Sequence, residues 1–432
     1  MTGDVGSRKR SGFGVDPAEA LRLERPLNAM WASASPQRPM GAEPDFASRR
    51  FLVEHVDSIL RFYAPHAFDP EGGFFHHFLD DGTVYNRRHR HLVSATRFVF
   101  NWAMAYRHTG QDRWRTWARH ALVHLGSFRR PDGLHGWTLD GTHLDDASAM
   151  AYGQAFLLLA RSHAAMAGLA DSAAVADAFD RMDAAFWRAA DRAYADEITP
   201  AGGLIAYRGQ NANMHQCEAC LAAFEATGQP RYLDRAEALI ERFAFELADA
   251  AGGLVWEHYR EDWSVDWDYN RDNPGNIFKP WGFQTGHQTE WAKLLLIAHG
   301  HRPQRRWVDR AAQLHQAAWT HGWDATHGGL IYGFAPDRSP CDTDKYFWVQ
   351  AESLASAWRL WRTTGEPEFL QQYLALWRFS WQHMIDHHHG GWYRIVAADG
   401  RKLENTKSPA GKVDYHTMGA CWDVMAAGGL KD

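Results

Sequence analysis

Thr227-Gly228-Gln229-Pro230-Arg231-Tyr232-Leu233 opens a stretch whose apolar residues continue at Ala236, Leu239, Ile240 and Phe243 and which closes on Gly252-Gly253-Leu254. Apolar residues three and four apart share one face of a helix, so this segment predicts a helix entered from a tight turn and left through a glycine loop. Both marks recur along the chain. The turn is repeated at Thr109-Gly110-Gln111 before Trp114 and at Thr364-Gly365-Glu366 before Phe369. In each, the glycine ends one helix and a new one begins. The loop is repeated at Gly72-Gly73-Phe74, Gly202-Gly203-Leu204, Gly328-Gly329-Leu330 and Gly390-Gly391-Trp392, with Asp132-Gly133-Leu134 as a weaker copy. Six copies imply six units of two helices, and such a unit cannot bury its apolar faces alone. Closing six pairs into a ring solves that problem. The pattern therefore predicts an all-α (α/α)6 barrel of about twelve helices, with short strand-like pieces only beside the glycine loops. In that architecture the longer loops wall a cleft and the ends of the inner helices floor it.

Composition narrows the function classes. Of 432 residues, 45% are hydrophobic and 23% charged, with a net charge of -6, which gives no electrostatic footprint for nucleic acid. No apolar run approaches the roughly 18 residues that a membrane span requires, and no signal-type segment follows Arg8-Lys9-Arg10. The four cysteines are too few for a disulfide framework, so a reducing, cytoplasmic setting is expected. Residues 1–45, rich in Gly, Ser, Pro and Arg, read as a loose leader ahead of one catalytic domain over 46–432. The 21 tryptophans fit helix-to-helix gap filling, with a minority free to stack on sugar faces.

The chemistry gathers at a few junctions. In Gly286-His287-Gln288-Thr289-Glu290, a histidine and a glutamate three apart share a helix face, and the spacing predicts that they act side by side. His215 and Glu218, after Asn211-Ala212-Asn213-Met214, repeat that arrangement in the neighbouring unit. Arg97, in the apolar run Thr96-Arg97-Phe98-Val99-Phe100, must point at an anion or at several acceptors, whether substrate or a core glutamate. Glu352 stands in a similarly apolar stretch and is expected either to bind sugar hydroxyls or to pair with Arg97. His416, in Lys412-Val413-Asp414-Tyr415-His416, lies at another loop-to-helix junction and is a second candidate acid/base, against the alternative of a satisfied structural residue. The histidine spacings match no zinc motif, so no metal and no cofactor are expected. Cys217-x-x-Cys220 reads as helix packing and His387-His388-His389 as a solvated turn.

Together these segments resemble the N-acylglucosamine 2-epimerase superfamily across nearly all of residues 50–425. The resemblance rests on Asn211 to His215 with Glu218, Gly286-His287 with Glu290-Trp291, Trp348 with Glu352, and Asp414-Tyr415-His416. It implies the (α/α)6 barrel independently of the repeats. It also implies that His287 and His416 are the general acid/base pair, that Arg97 meets the reacting end of the sugar, and that Asn211, His215, Glu218, Glu290, Trp348 and Glu352 form the surrounding binding shell.

The chemistry expected is proton transfer on a free, unphosphorylated monosaccharide through an enediolate, giving aldose-ketose isomerisation of the mannose-fructose type. A 2-epimerase acting on an N-acylglucosamine or on a cellobiose-type sugar is the alternative. Glycoside hydrolysis by Asp145 and Asp146 is a more distant reading. No nucleic acid or membrane partner is expected, and a homodimer is compatible with the sequence. The whole expectation requires His287 and His416 to converge on one hollow near the guanidinium of Arg97.

Overall fold

The structure is a computed structural model that describes residues 43–276 and 278–431. Of the expected leader over residues 1–45, all but Glu43, Pro44 and Asp45 lies outside the described residues. Here Glu43 pairs with Arg378 and Asp45 with Lys431, both at 2.9 Å or less, while Phe46 stacks on Trp377.

The helices are α1 (Arg49–Tyr63), α2 (Leu92–Thr109), α3 (Asp112–His124), α4 (Ala151–Met166), α5 (Ser172–Phe186) and α6 (Gln210–Thr227). There follow α7 (Pro230–Ile240, continuing through a π-helical turn at Glu241–Leu247 into Ala248–Ala250), α8 (Thr285–His301), α9 (Arg305–Gly322), α10 (Phe347–Thr364), α11 (Pro367–Phe379, with a π-helical turn at Ser380–Met384) and α12 (Tyr415–Ala427). The even-numbered helices pack side by side as an inner ring, and each touches an outer, odd-numbered one. The ring closes where α12 packs on both α1 and α2. This is the (α/α)6 barrel that the repeats predict.

Local chemistry explains the alternation. Outer helices are amphipathic: α1 buries Leu52, Val56, Ile59, Leu60 and Tyr63 along one stripe and leaves its other face to water. Inner helices have neighbours on nearly every side, so α8 buries every residue from Thr285 to Leu296. Three inner helices end on a glycine in the left-handed region, Gly110, Gly228 and Gly365, at φ of +66°, +68° and +77°. There the glycine N–H caps a carbonyl of the last turn, a conformation that would cost a residue with a Cβ about 1 kcal/mol. Tryptophan does the gap filling: Trp102 of α2 lies flat on Trp114 of α3 at 5.2 Å, and Trp291, Trp307, Trp358 and Trp377 are likewise fully buried. Each such ring removes roughly 200 Å² from water, worth about 5 kcal/mol before the entropy of ordering is subtracted.

At the other end, short antiparallel pairs stitch each long loop to the next. His89–His91 pairs with Thr138–Asp140, Ala149–Met150 with Glu197–Ile198, and Arg208–Gly209 with His258–Tyr259. Phe283–Gln284 pairs with Gly333–Phe334, Lys345–Tyr346 with Ile395–Val396, and Thr406–Ser408 with His77–Leu79, which completes the circle. In five of the six units the stitched strand runs directly into the inner helix, so hydrogen bonding fixes where that helix begins. The sixth is different. Between Ser408 and α12 lies the segment 409–414, and its last residue, Asp414, holds φ +53°.

Candidate active site

Because the stitched strands hold the N-termini of the inner helices in one plane, side chains from their first two turns meet at the barrel axis. The sixth residues of α2, α6, α8 and α10 are Arg97, His215, Glu290 and Glu352. The second residues of α4, α6, α10 and α12 are Tyr152, Asn211, Trp348 and His416, and the third of α8 is His287. All but Glu352 line one cleft of about 780 Å³, counting its open mouth, whose walls add Phe278, Tyr332, Tyr346, Phe347 and the loop Pro409 to Lys412. His287, His416 and Arg97 therefore share one hollow. Six helix N-termini around it also supply a positive field suited to an anionic intermediate.

His416 sits between a carboxylate and a cation. Its Nδ1 lies 2.6 Å from Glu352 Oε1, and its Nε2 lies 3.1 Å from an Arg97 nitrogen. A guanidinium only donates, so Nε2 must carry the lone pair and Nδ1 the hydrogen. Burial pushes the His416 pKa well below 6.5, and the charges of Arg97, His215 and Lys293 push it further. The result is a neutral imidazole with a bare nitrogen facing the cleft. Arg97 is held between the rings of Phe156 and Tyr415, at 4.4 and 4.8 Å, and also donates to the Gly411 carbonyl and to the Tyr152 hydroxyl. It is not paired with Glu352, contrary to one expectation. Glu352 instead uses its second oxygen on Lys293 Nζ, 2.6 Å away.

His287 corrects a second expectation. Its Nδ1 hydrogen-bonds Glu257 at 2.8 Å, not Glu290, and touches Gln210 at 2.9 Å. The i, i+3 spacing puts His287 and Glu290 on the same side of α8, yet His287 finds its partner on another segment and the charged group nearest Glu290 is Lys293 of the same helix, 3.8 Å away. Trp348 lies against both imidazoles, with ring centroids 4.9 Å from His287 and 6.0 Å from His416. It can do so because residue 286 is glycine: a Cβ there would stand 2.3 Å from the Trp348 ring.

Below the histidines lies a charge cluster. Lys293 stands 2.6, 3.6 and 3.8 Å from Glu352, Glu218 and Glu290. Burial alone would raise the pKa of Glu218, but Lys293, His215 and the Tyr415 hydroxyl overcome it and hold this carboxyl below the ordinary range. Glu290 goes the other way. It is fully buried, neither oxygen has a hydrogen-bond partner, and burial together with the charge of Glu352 pushes its pKa well up. A protonated Glu290 leaves Glu218 and Glu352 balanced by Lys293 and Arg97. His215 meets Glu218 at 2.8 Å, as its spacing suggests, although α6 begins at Gln210, so Asn211 to Met214 are helical and not loop.

Two trios, His215-Glu218-Glu290 and Glu290-Glu352-His416, have donor atoms within 4.8 Å of one another and could hold a metal. The Lys293 ammonium already stands against the three glutamates of both trios. Asp145 and Asp146 do not line the cleft, and Asp145 is exposed. Cys217 and Cys220 are buried on α6, and His387 to His389 form an exposed turn. The cleft wall carries two further cations, Arg394 and Lys412, beside Arg97. Each is matched: Lys412 lies 2.9 Å from Asp414, and Arg394 pairs with Glu404.

Sequence reasoning missed Glu257, Gln210, Lys293 and Tyr152. Lys293 gave a signal, a lone charge in the apolar run Trp291 to Leu296, of the kind that singles out Arg97. Glu257 gave none.

No helix among the described residues is long and apolar enough to cross a membrane. The chain is 48% identical over 387 residues to the D-mannose isomerase of Marinomonas mediterranea, covering 88% of this chain and 98% of that one. It is 32% identical to the D-mannose isomerase of Thermobifida fusca, covering 70% and 76%. A crystal structure of a D-mannose isomerase superposes with a TM-score of 0.88 at 47% identity, covering 89% of this chain and all of the other. The sequence pattern of the N-acylglucosamine 2-epimerase (GlcNAc 2-epimerase) family matches residues 73–420, and the chain belongs to that family.

Proposed function

We propose that the protein is an aldose-ketose isomerase that interconverts free mannose and fructose in the cytoplasm by histidine-mediated proton transfer, with no cofactor taking part. The observation that carries this reading is the His416 imidazole, neutral, with its bare Nε2 turned to the cleft beside the Arg97 guanidinium. The similarity to D-mannose isomerases over most of the chain supports the choice of sugar.

The steps follow from the needs of an open-chain aldose. His416 Nε2 takes the proton from C2, the electron pair of that C–H bond forms a C1=C2 double bond, and the carbonyl pair moves onto O1. Arg97 donates to the oxygens on which this charge develops, inside a cleft whose aromatic walls restrict water. The imidazolium then returns the proton to C1 on the same face while the O2 proton passes to O1, so that O2 becomes the ketose carbonyl and O1 a hydroxyl. Glu352 accepts the Nδ1 hydrogen, and Lys293 holds Glu352 in place and works against the burial that raises its pKa. His287 faces the same cleft from α8 and, once its Nε2 has taken up a proton, is the acid available to the opposite side of the sugar. Delivery from there to C2 would give the 2-epimer. Because burial lowers the His416 pKa, activity holds through the neutral range and falls only on the acid side.

Incubation with mannose in heavy water, followed by NMR, tests the reading. Fructose is the expected product. Deuterium at C2 of an aldose epimer, with no ketose formed, would show an epimerase instead.

A further inference from the structure

His287 is surrounded by a second, uncharted set of partners. Gln210 of α6, Glu257 of the loop that follows Gly252-Gly253, and Trp291 of α8 form a hydrogen-bonded chain that ends on it. All three are buried, none more than 2% exposed.

The chain has a direction. The indole Nε1–H of Trp291 can only donate, and it lies 2.8 Å from Gln210 Oε1. That contact turns the amide oxygen of Gln210 toward Trp291 and its NH2 toward Glu257, where it meets Oε2 at 3.0 Å. The other oxygen of Glu257, Oε1, is 2.8 Å from His287 Nδ1. A buried carboxylate needs donors, and an imidazole nitrogen facing it is favoured as N–H. A nitrogen carrying hydrogen cannot accept from Gln210, so the 2.9 Å approach of Gln210 to Nδ1 is the side-by-side contact of two donors sharing one carboxylate.

We propose that Glu257 is a positioning residue, oriented by Gln210 and Trp291, that holds His287 as the Nδ1–H tautomer so that protons pass to and from the cleft only through Nε2. The fold builds this arrangement directly. Arg208–Gly209 pairs with His258–Tyr259, which sets Gln210 and Glu257 opposite each other, and the Gln210 N–H donates to the Glu257 carbonyl at 3.1 Å. One stitch of the loop ring thus aligns both side chains with the third residue of the next inner helix.

The inference rests on the proposed role of His287, and its test separates the two. Wild-type protein labelled with 15N-histidine is examined by long-range 1H–15N NMR, the His287 signals being identified as those absent from His287→Asn. Pyrrole-type Nδ1 and pyridine-type Nε2 are expected, and the reverse pattern overturns the proposal. This reading needs no substrate, so it stands or falls even if no free sugar is turned over, which would sink the functional reading alone. Glu257→Gln, which keeps the shape, should shift the tautomer and lower kcat about 10- to 100-fold with KM within about twofold. Glu257→Asp should recover part of that loss. An unchanged kcat, or a loss confined to KM, overturns the proposal. Should Glu257→Gln fail to fold, the wild-type spectrum decides.

Discussion

Two inner helices bring the two imidazoles into the cleft by different routes. α8 is entered directly from Phe283–Gln284, a stitched strand, and its His287 is held by neutral and singly charged neighbours: Glu257, Gln210 and the face of Trp348. α12 is entered from the unpaired segment 409–414, ending on Asp414 in the left-handed region, whose carboxylate accepts from Tyr63 and Lys412. His416 is then held by ions: Arg97 in front, and Glu352 with Lys293 behind. The difference teaches that one side of the cleft is positioned by backbone register and the other by charge balance. The segment that breaks the register also lines the cleft, through Pro409, Ala410, Gly411 and Lys412. It brings the Gly411 carbonyl onto Arg97.

The largest effect expected from breaking this asymmetry is His416→Asn, which should cut turnover about 1000-fold, or about 4 kcal/mol in barrier, with the fold retained. Steady-state kinetics beside circular dichroism check it; a loss under tenfold would move the base elsewhere. On the α8 side, Gly286→Ala replaces a glycine in a helical turn where Ala is otherwise favoured by about 1 kcal/mol. Its Cβ displaces Trp348, so turnover should fall about tenfold without loss of helix content. Unchanged activity would mean that Trp348 does not position the imidazoles. The smallest effect concerns the charge cluster. The folded-state pKa of Glu290 lies above its unfolded value of 4.5, so below pH 4.5 both states hold the proton and there is no penalty. As pH rises past 4.5 the unfolded chain alone ionises, and stability is lost. Glu290→Gln should therefore raise Tm at pH 7 by about 1 °C, the shift of about 1 kcal/mol for a domain of this size, and leave it unchanged near pH 4. A Tm gain equal at both pH values would show that the folded protein does not raise the Glu290 pKa.

The ring was legible because its punctuation is enforced by backbone conformation. Gly110, Gly228 and Gly365 sit where the chain turns left-handed, and a repeated conformational need leaves a repeated residue. Arg97 and Glu352 were legible for another reason: a charge inside an apolar run has to meet something polar. The same logic reaches Lys293 and was not applied to it. Glu257 was out of reach, because it lies in a loop and its role depends on a strand pairing that joins Arg208 to Tyr259, far apart in the chain, with no period to announce it. The link expected between His287 and Glu290 failed because helical spacing reports which side chains share a face, not which partner from another segment comes nearer. The π-helical turns at Glu241–Leu247 and Ser380–Met384 leave no comparable mark in the sequence.

Arg97 belongs to the first inner helix of the ring and His416 to the last, so their 3.1 Å contact spans the place where the circle joins. During synthesis α12 has to emerge before His416 and the Arg97 guanidinium can meet. On the proposed mechanism, turnover is consequently an all-or-none readout of assembly: a chain with five units docked and the sixth adrift would keep much of its core and lose the pairing of His416 with Arg97.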